Sequence, residues 1–245
     1  MTLVVHYLNN SRSQRVLWLL AELGVPYEIV RYQRDPETLL APESLRREHP
    51  LGKSPMVTDG DLVLAESGAI VEYLADRYGE GRLAPPPGTP ERLRYTYWLH
   101  YAEGSAMPPL LLKLVFARVA DVCTGCPLAY RCKLVFARVA DAKASFFVKP
   151  VAKAIANKVT RAFIAPPFKL HLDYMEAELA KNAWFVGHGF SAVDIQMSLP
   201  IEAAAARGGL DPGRPRLRAW LDRIHARAAY QRALECGGPY ALSAA

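Results

Sequence analysis

No run among the 245 residues approaches the roughly 18 to 20 uncharged apolar positions that a membrane-spanning helix needs. The opening MTLVVHYLNNSRS places no basic head before a long apolar stretch, so the sequence reads as a soluble, untargeted cytoplasmic protein. Cysteine is scarce. Of four, three crowd between Cys123 and Cys132, which excludes the evenly spaced disulfide framework of a secreted domain. Zinc-finger, helix-turn-helix and RNP patterns are missing, so no nucleic-acid partner is expected. Disorder is excluded by a surplus: 51% of the residues are hydrophobic, ample for the core of one large domain or two small ones.

The net charge of +6 is unevenly placed. Residues 113–169 hold eleven Lys and Arg against only Asp121 and Asp141, leaving the remainder mildly acidic. Such a block can meet an anionic membrane surface or another polyanion, but the favoured reading is a solvated basic face.

Strand and helix signals alternate over the first eighty residues. LVVHYL (3–8) is a short apolar run, SRSQRVLWLLAELG spaces its apolar residues helically and stops at Gly24, and YEIVRY (27–32) reads as a second strand. A helix-tending stretch at 41–48 precedes PMVTDGDLVLAE, where Asp59 and Gly60 turn one alternating segment into another. An amphipathic helix starts at Ser67 and ends at Gly79. The order βαβ, connecting helix, ββα predicts a small mixed sheet with helices on both faces. The proline-rich LAPPPGTPE then breaks the pattern. Thr89 as N-cap and Pro90 at the first helical position open an all-α region, with helices expected over 90–120, 145–162, 167–181, 191–206 and 215–234. The expected domains are therefore 1–80 and 89–245, joined by a linker at 81–88.

Five segments carry a resemblance in residues as well as in plan. SRSQRVLWLLAELGVPYEIV, HPLGKSPMV and LAESGAIVEYLADRYG resemble, in order and spacing, the glutathione-contacting segments of bacterial cytosolic glutathione transferases of the theta-like, serine-using kind. FSAVDIQMSLP and RLRAWLDRIHARAAYQRAL resemble that family's sixth and last helices. The resemblance spans nearly the whole chain apart from about 121–132 and its repeated neighbour. It implies an α/β thioredoxin-like domain followed by an all-α domain, with glutathione as cosubstrate, no metal, and a homodimer active in detoxification.

The residues support that implication chemically. In Lys53-Ser54-Pro55-Met56, a cis proline at the strand start would turn the backbone of Met56 outward for a peptide-like ligand to pair with; an ordinary trans proline at a sheet edge is the alternative. Ser67, at a helix start, offers a hydroxyl and free N–H groups to a carboxylate, or is a plain N-cap. Glu66 beside it could take an amine, together suiting the γ-glutamyl end of glutathione. By resemblance, Lys53 meets the glycyl carboxylate.

The reaction turns on sulfur. A free thiol has a pKa of about 8.5, and thiolate is the nucleophile. Bringing it to about 6.5 takes roughly 2.7 kcal/mol of selective thiolate stabilisation. One hydrogen bond to a charged partner, about 1.5–3 kcal/mol, with a helix amino terminus adding about 0.3–1, suffices. Ser11 is the choice because it lies four residues before Arg15, as the active serine does in theta-like relatives. In other classes the serine stands five before, where Asn10 sits here, and Ser13 is a third candidate. Capping of the helix by Ser11 or Ser13 is the bland reading. The loop has no cysteine, which argues against a thiol-exchange mechanism.

The electrophile is expected between the domains, against Tyr101, Met107 and Phe116, or these are ordinary core. By resemblance Glu103 reaches a glutathione amine across a dimer interface. Pro108 and Pro109 should kink their helix, and Ser191 with Asp194 form a capping pattern. KLVFARVAD occurs at 113–121 and again at 133–141, with VCTGCPLAYRC between the copies. In one continuous helix twenty residues would turn the second copy by roughly 200°, onto nearly the opposite face. Gly125 and Pro127 argue instead for a looped-out tandem duplication. Cys123, Cys126 and Cys132 fall short of a four-ligand metal motif. Two functions follow: a transferase joining glutathione to small hydrophobic electrophiles or reducing organic peroxides, and a non-catalytic carrier or interaction protein of the same fold.

Overall fold

The structure, a computed structural model, describes residues 2–36, 38, 40–122, 148–206 and 210–238. Cys123, Cys126, Cys132 and the second KLVFARVAD lie outside them.

Strands β1 (Leu3–Leu8), β2 (Tyr27–Tyr32), β3 (Met56–Asp59) and β4 (Leu62–Ala65) form one sheet in the order β2-β1-β3-β4. β1 and β2 run parallel because α1 (Ser13–Leu23) carries the chain across between them; β3 and β4 are antiparallel to their neighbours. Gly24, at φ 70°, ends α1 in the left-handed conformation that a side chain would oppose. Alternation along β1 sends Val5 and Tyr7 into the main core with α1 and α3 (Ser67–Tyr78). His6 and Leu8 face the other side, where Leu8, Tyr32 and Met56 meet Leu45 of the short α2 (Glu43–Glu48). The sheet thus has helices on both faces, as its residue pattern anticipates.

Thr89 accepts the Arg92 N–H at 3.2 Å and, with Pro90 at the first position, opens α4 (Pro90–Tyr101). The expected 90–120 helix is then interrupted by a π-helical turn, Ala102–Ala106, before α5 (Met107–Val122). The same device recurs: α6 (Val148–Val159) and α7 (Ala165–Lys181) are joined by a π-helical turn at Thr160–Ile164 rather than separated. Tandem prolines explain both. Pro108-Pro109 and Pro166-Pro167 each remove two backbone donors just after the turn, and the helix widens ahead of them instead of ending.

The helix expected over 215–234 is two, α9 (Pro215–His225) and α10 (Ala228–Gly237). No glycine or proline marks the break. Arg227 adopts extended backbone there while its guanidinium pairs with Glu22 of α1 at 2.6 Å and lies 3.7 Å from the Phe190 ring centroid. α8 (Ala192–Ala206) is almost wholly buried and runs through the middle of the helical region. Among the described residues no helix is long and apolar enough to cross a membrane.

Candidate active site

Four segments meet around one cleft of about 310 Å³, within the roughly 300–1,000 Å³ of ordinary ligand pockets. The β1–α1 turn contributes Arg12, the loop ahead of β3 contributes Leu51, Lys53, Ser54 and Pro55, the start of α3 contributes Glu66 and Ser67, and the first π-helical turn contributes Glu103. Every glutathione-contacting residue expected from the sequence except Met56 lines this cleft. The Ser54–Pro55 peptide is cis.

Met56 is the correction. It pairs with His6 of β1 on one side and Ala65 of β4 on the other, so its backbone is flanked by strands and cannot receive an added one. Ser54, on the cleft wall, is the nearest residue ahead of the strand that keeps a backbone N–H outside the ladder, since Pro55 between them has none.

Ser67 is buried, and its hydroxyl oxygen receives Arg15 Nη2 at 3.3 Å and Gln196 Nε2 at 3.1 Å. The preceding Glu66 is exposed and held at φ 71°, ψ 118°, a conformation costing a non-glycine residue about 1–3 kcal/mol. Arg15 is itself 2% exposed and also donates to the Gln196 carbonyl at 2.6 Å and to Glu103. Arg12 closes on Glu103 from the solvent side with two hydrogen bonds of 2.8 Å. Burial alone would raise the Glu103 carboxyl; the Arg15 and Arg12 guanidinium groups outweigh it and hold the group at about 2. Glu103 therefore has two cationic partners within its own chain.

On either side of Arg12, and against Ser54 of the loop ahead of β3, three hydroxyls gather. Ser11 Oγ accepts the Ser13 N–H at 3.1 Å, donates to Ser13 Oγ at 3.1 Å, and lies 3.2 Å from Ser54 Oγ. Ser13 and Ser54 also bond to each other and both reach the His6 carbonyl. Ser11, one residue ahead of the Arg12 N-cap, thus satisfies the first N–H of α1 and belongs to a hydroxyl chain whose outermost residue, Ser54, faces the cleft. Asn10 is exposed, at φ 50°.

Tyr101 is a second correction. It is 7% exposed, its hydroxyl lies 2.7 Å from His171 Nδ1, and its ring packs among Trp98, Tyr97 and Tyr174. Burial pushes its hydroxyl well above the ordinary tyrosine value. Its helical spacing on α4 faces the core. Met107 packs against the same core, and Phe116 is half-buried on α5; neither reaches this cleft.

The glutathione S-transferase amino-terminal domain matches residues 2–76 of this chain, and the family's carboxy-terminal domain matches residues 168–228. Glutathione S-transferase 1 of Saccharomyces cerevisiae is 31% identical over 234 residues, covering 92% of this chain and 91% of its own. The chain belongs to the glutathione S-transferase family. Glutathione S-transferase 3 of Schizosaccharomyces pombe is 33% identical over 202 residues, 82% of this chain and 74% of its own. Among solved structures, a glutathione S-transferase from Actinobacillus pleuropneumoniae superposes with a TM-score of 0.66 at 28% identity, over 99% of this chain and 96% of that one. These relatives, yeast as well as bacterial, establish the family rather than a bacterial theta-like branch of it.

Sequence reasoning misses part of this glutathione S-transferase's site. Arg12 stands between two candidate serines with nothing in its spacing to single it out. Arg15 serves in the sequence only as a landmark. Gln196 sits 129 positions from Ser67 and carries no signal at all.

Proposed function

We propose that this glutathione S-transferase seats glutathione along the cleft and joins its thiolate to small hydrophobic electrophiles. The observation that carries the reading is the presence in one cleft of Ser67 at the start of α3, of Lys53, and of Ser54 at the end of a hydroxyl chain. Ser67 and the free N–H groups of the α3 start take the γ-glutamyl carboxylate, and Glu66 takes its amine. Lys53 takes the glycyl carboxylate. Ser54, in place of Met56, offers backbone to the cysteinyl unit, which sets the sulfur near the serine cluster.

Ser11 is the thiol-activating group of this reading, ahead of Asn10 and Ser13. Its hydroxyl proton can pass from Ser13 to the sulfur by a rotation about one bond, whereas Ser13 is enclosed completely. The spacing of Ser11 to Arg15 supports the serine-using, theta-like assignment. Residues 1–80 form the glutathione-binding domain and 89–245 the helical one, with 81–88 between. Leu93 and Tyr97, 75% and 46% exposed on α4, give an apolar face suited to a second copy in a homodimer. Sparse cysteine supports a cytoplasmic, detoxifying protein, and the repeated KLVFARVAD a tandem duplication.

Titrating glutathione calorimetrically in buffers of different ionisation enthalpy tests the reading, because it reports affinity and proton release together. Binding should release about one proton near neutral pH. Ser11→Ala should suppress that release and lower kcat/KM by about 10–100-fold, the worth of one hydrogen bond to a charged group. Binding with no proton release would establish the carrier reading instead.

A further inference from the structure

We infer that Gln196 is a positioning residue: its side-chain amide orients the Ser67 hydroxyl so that the proton points at the carboxylate of the γ-glutamyl end of glutathione. The inference rests on the reading that Ser67 seats that carboxylate, and it goes beyond it by naming what makes a serine hydroxyl a donor rather than an acceptor there.

A hydroxyl has one proton and two lone pairs. A bare serine at a ligand site can turn either toward its partner, and half of that freedom is wasted on a carboxylate, which only accepts. In this chain the choice is made from behind. Arg15 can only donate, and its Nη2 at 3.3 Å occupies one lone pair of Ser67 Oγ. Gln196 Nε2 at 3.1 Å occupies the second. With both pairs engaged, the proton has one direction left, toward the cleft that Ser67 lines.

Gln196 also fixes the arginine. Its backbone carbonyl accepts Arg15 Nη1 at 2.6 Å, so one residue of α8 sets both donors that converge on the hydroxyl. The residue is fully buried, and α8 around it is immobilised by Asp194, two positions earlier, which is also fully buried and bound to Ser191, Phe185 and Trp220. The amide nitrogen is held to Ser67, and its carbonyl oxygen is buried with no hydrogen-bond partner among the described residues. Were the amide reversed, its carbonyl would draw the Ser67 proton inward and leave oxygen lone pairs facing an incoming carboxylate.

The test compares glutathione with 4-aminobutanoyl-cysteinylglycine, the same peptide without the γ-glutamyl α-carboxylate, by calorimetric titration of the full chain. The wild type should bind glutathione at least about tenfold more tightly, as a hydrogen bond to a charged group predicts. Gln196→Leu should bring that preference down about threefold or more, and Gln196→Glu, which accepts from Ser67, should nearly abolish it. Both should leave proton release on binding unchanged, because the sulfur end is not touched. In a Ser67→Ala background Gln196→Leu should add nothing further, since there is no hydroxyl left to orient. A change that merely loosened the fold would weaken both ligands alike and leave the preference intact; Gln196→Met, close in length and volume, serves where leucine prevents folding. A wild type that discriminates beside folded Gln196 variants that discriminate equally overturns the role of Gln196 alone. A wild type that binds both peptides equally overturns the seat at Ser67, and this inference with it.

Discussion

Arg15→Met should lower the unfolding free energy by about 3–5 kcal/mol, because the buried Gln196 carbonyl and Ser67 hydroxyl each lose a donor, at about 1–3 kcal/mol apiece, and Glu103 loses the stronger of its two cations. The guanidinium is 2% exposed and its donors reach three separate elements: the Gln196 carbonyl of α8, Ser67 of α3 and Glu103 of the π-helical turn. Methionine fills much of the volume but satisfies none of them. Lysine would fare little better, because one ammonium cannot span acceptors that a planar fork reaches together. Glu103 would keep Arg12, a partner 38% exposed and correspondingly weaker. The same substitution in a Glu103→Gln background should cost less than in the wild type, because the carboxylate that loses its stronger cation is gone. Denaturant titration of the four proteins measures this directly, and equal costs in both backgrounds would show that the pair is not coupled.

The acid limb gives a second signature of the same cluster. Glu103 is held at about 2 against an ordinary 4.5. A depressed folded-state value contributes stability that is present above 4.5 and lost as pH falls from there toward 2. Arg15→Met takes away the stronger of the two cationic fields, so the variant should lose less across that window. Wild type and variant should therefore converge in stability as pH falls below about 4.5.

The sequence was most informative where a local rule decides the structure. Thr89 with Pro90 and Gly24 after an apolar helix each state an element's end in one or two residues, and the structure places them so; the hairpin turn falls one residue later than its motif, at Gly60-Asp61, with Asp59 still paired to Leu62. The breaks it concealed have causes distant in the chain or spread over a turn. Nothing near Arg227 announces that α9 and α10 separate, since the turn is held by Glu22, some two hundred residues earlier. The π-helical turns are legible only in hindsight, from the paired prolines that follow each. The cleft divides along the same line. Lys53, Ser54, Pro55, Glu66 and Ser67 belong to two short contiguous motifs and were readable. Arg12, Arg15 and Gln196 act through convergence of separate elements, and no spacing encodes that. Tyr101 and Met56 failed for a different reason: their sequence context is right for a ligand, but core packing and strand pairing claimed them first.

Asp194→Ala should be about as damaging as the loss of Arg15, at about 3–5 kcal/mol, although it touches no ligand in the proposed site. Asp194 is fully buried and receives four hydrogen bonds: the Ser191 N–H at 3.0 Å, the Ser191 hydroxyl at 3.2 Å, Trp220 Nε1 at 3.1 Å and the Phe185 N–H at 3.3 Å. The Ser191 hydroxyl can turn elsewhere. The other three donors are fixed by backbone or ring, and each left without an acceptor in a dry interior costs about 1–3 kcal/mol. Asp194→Asn, which keeps one accepting oxygen, should recover part of the loss. Burial raises the Asp194 carboxyl to about 6, its four donors notwithstanding. A raised folded-state value contributes stability that is complete below the ordinary 3.8 and is lost as pH rises toward 6, the opposite sense to Glu103. The difference in unfolding free energy between wild type and Asp194→Ala should therefore be larger at pH 4 than at pH 7, where part of the residue's contribution is spent on keeping a charge in the core. A difference that grows with pH instead would mean that the four donors outweigh burial, and that Asp194 is ionised throughout the working range of the protein.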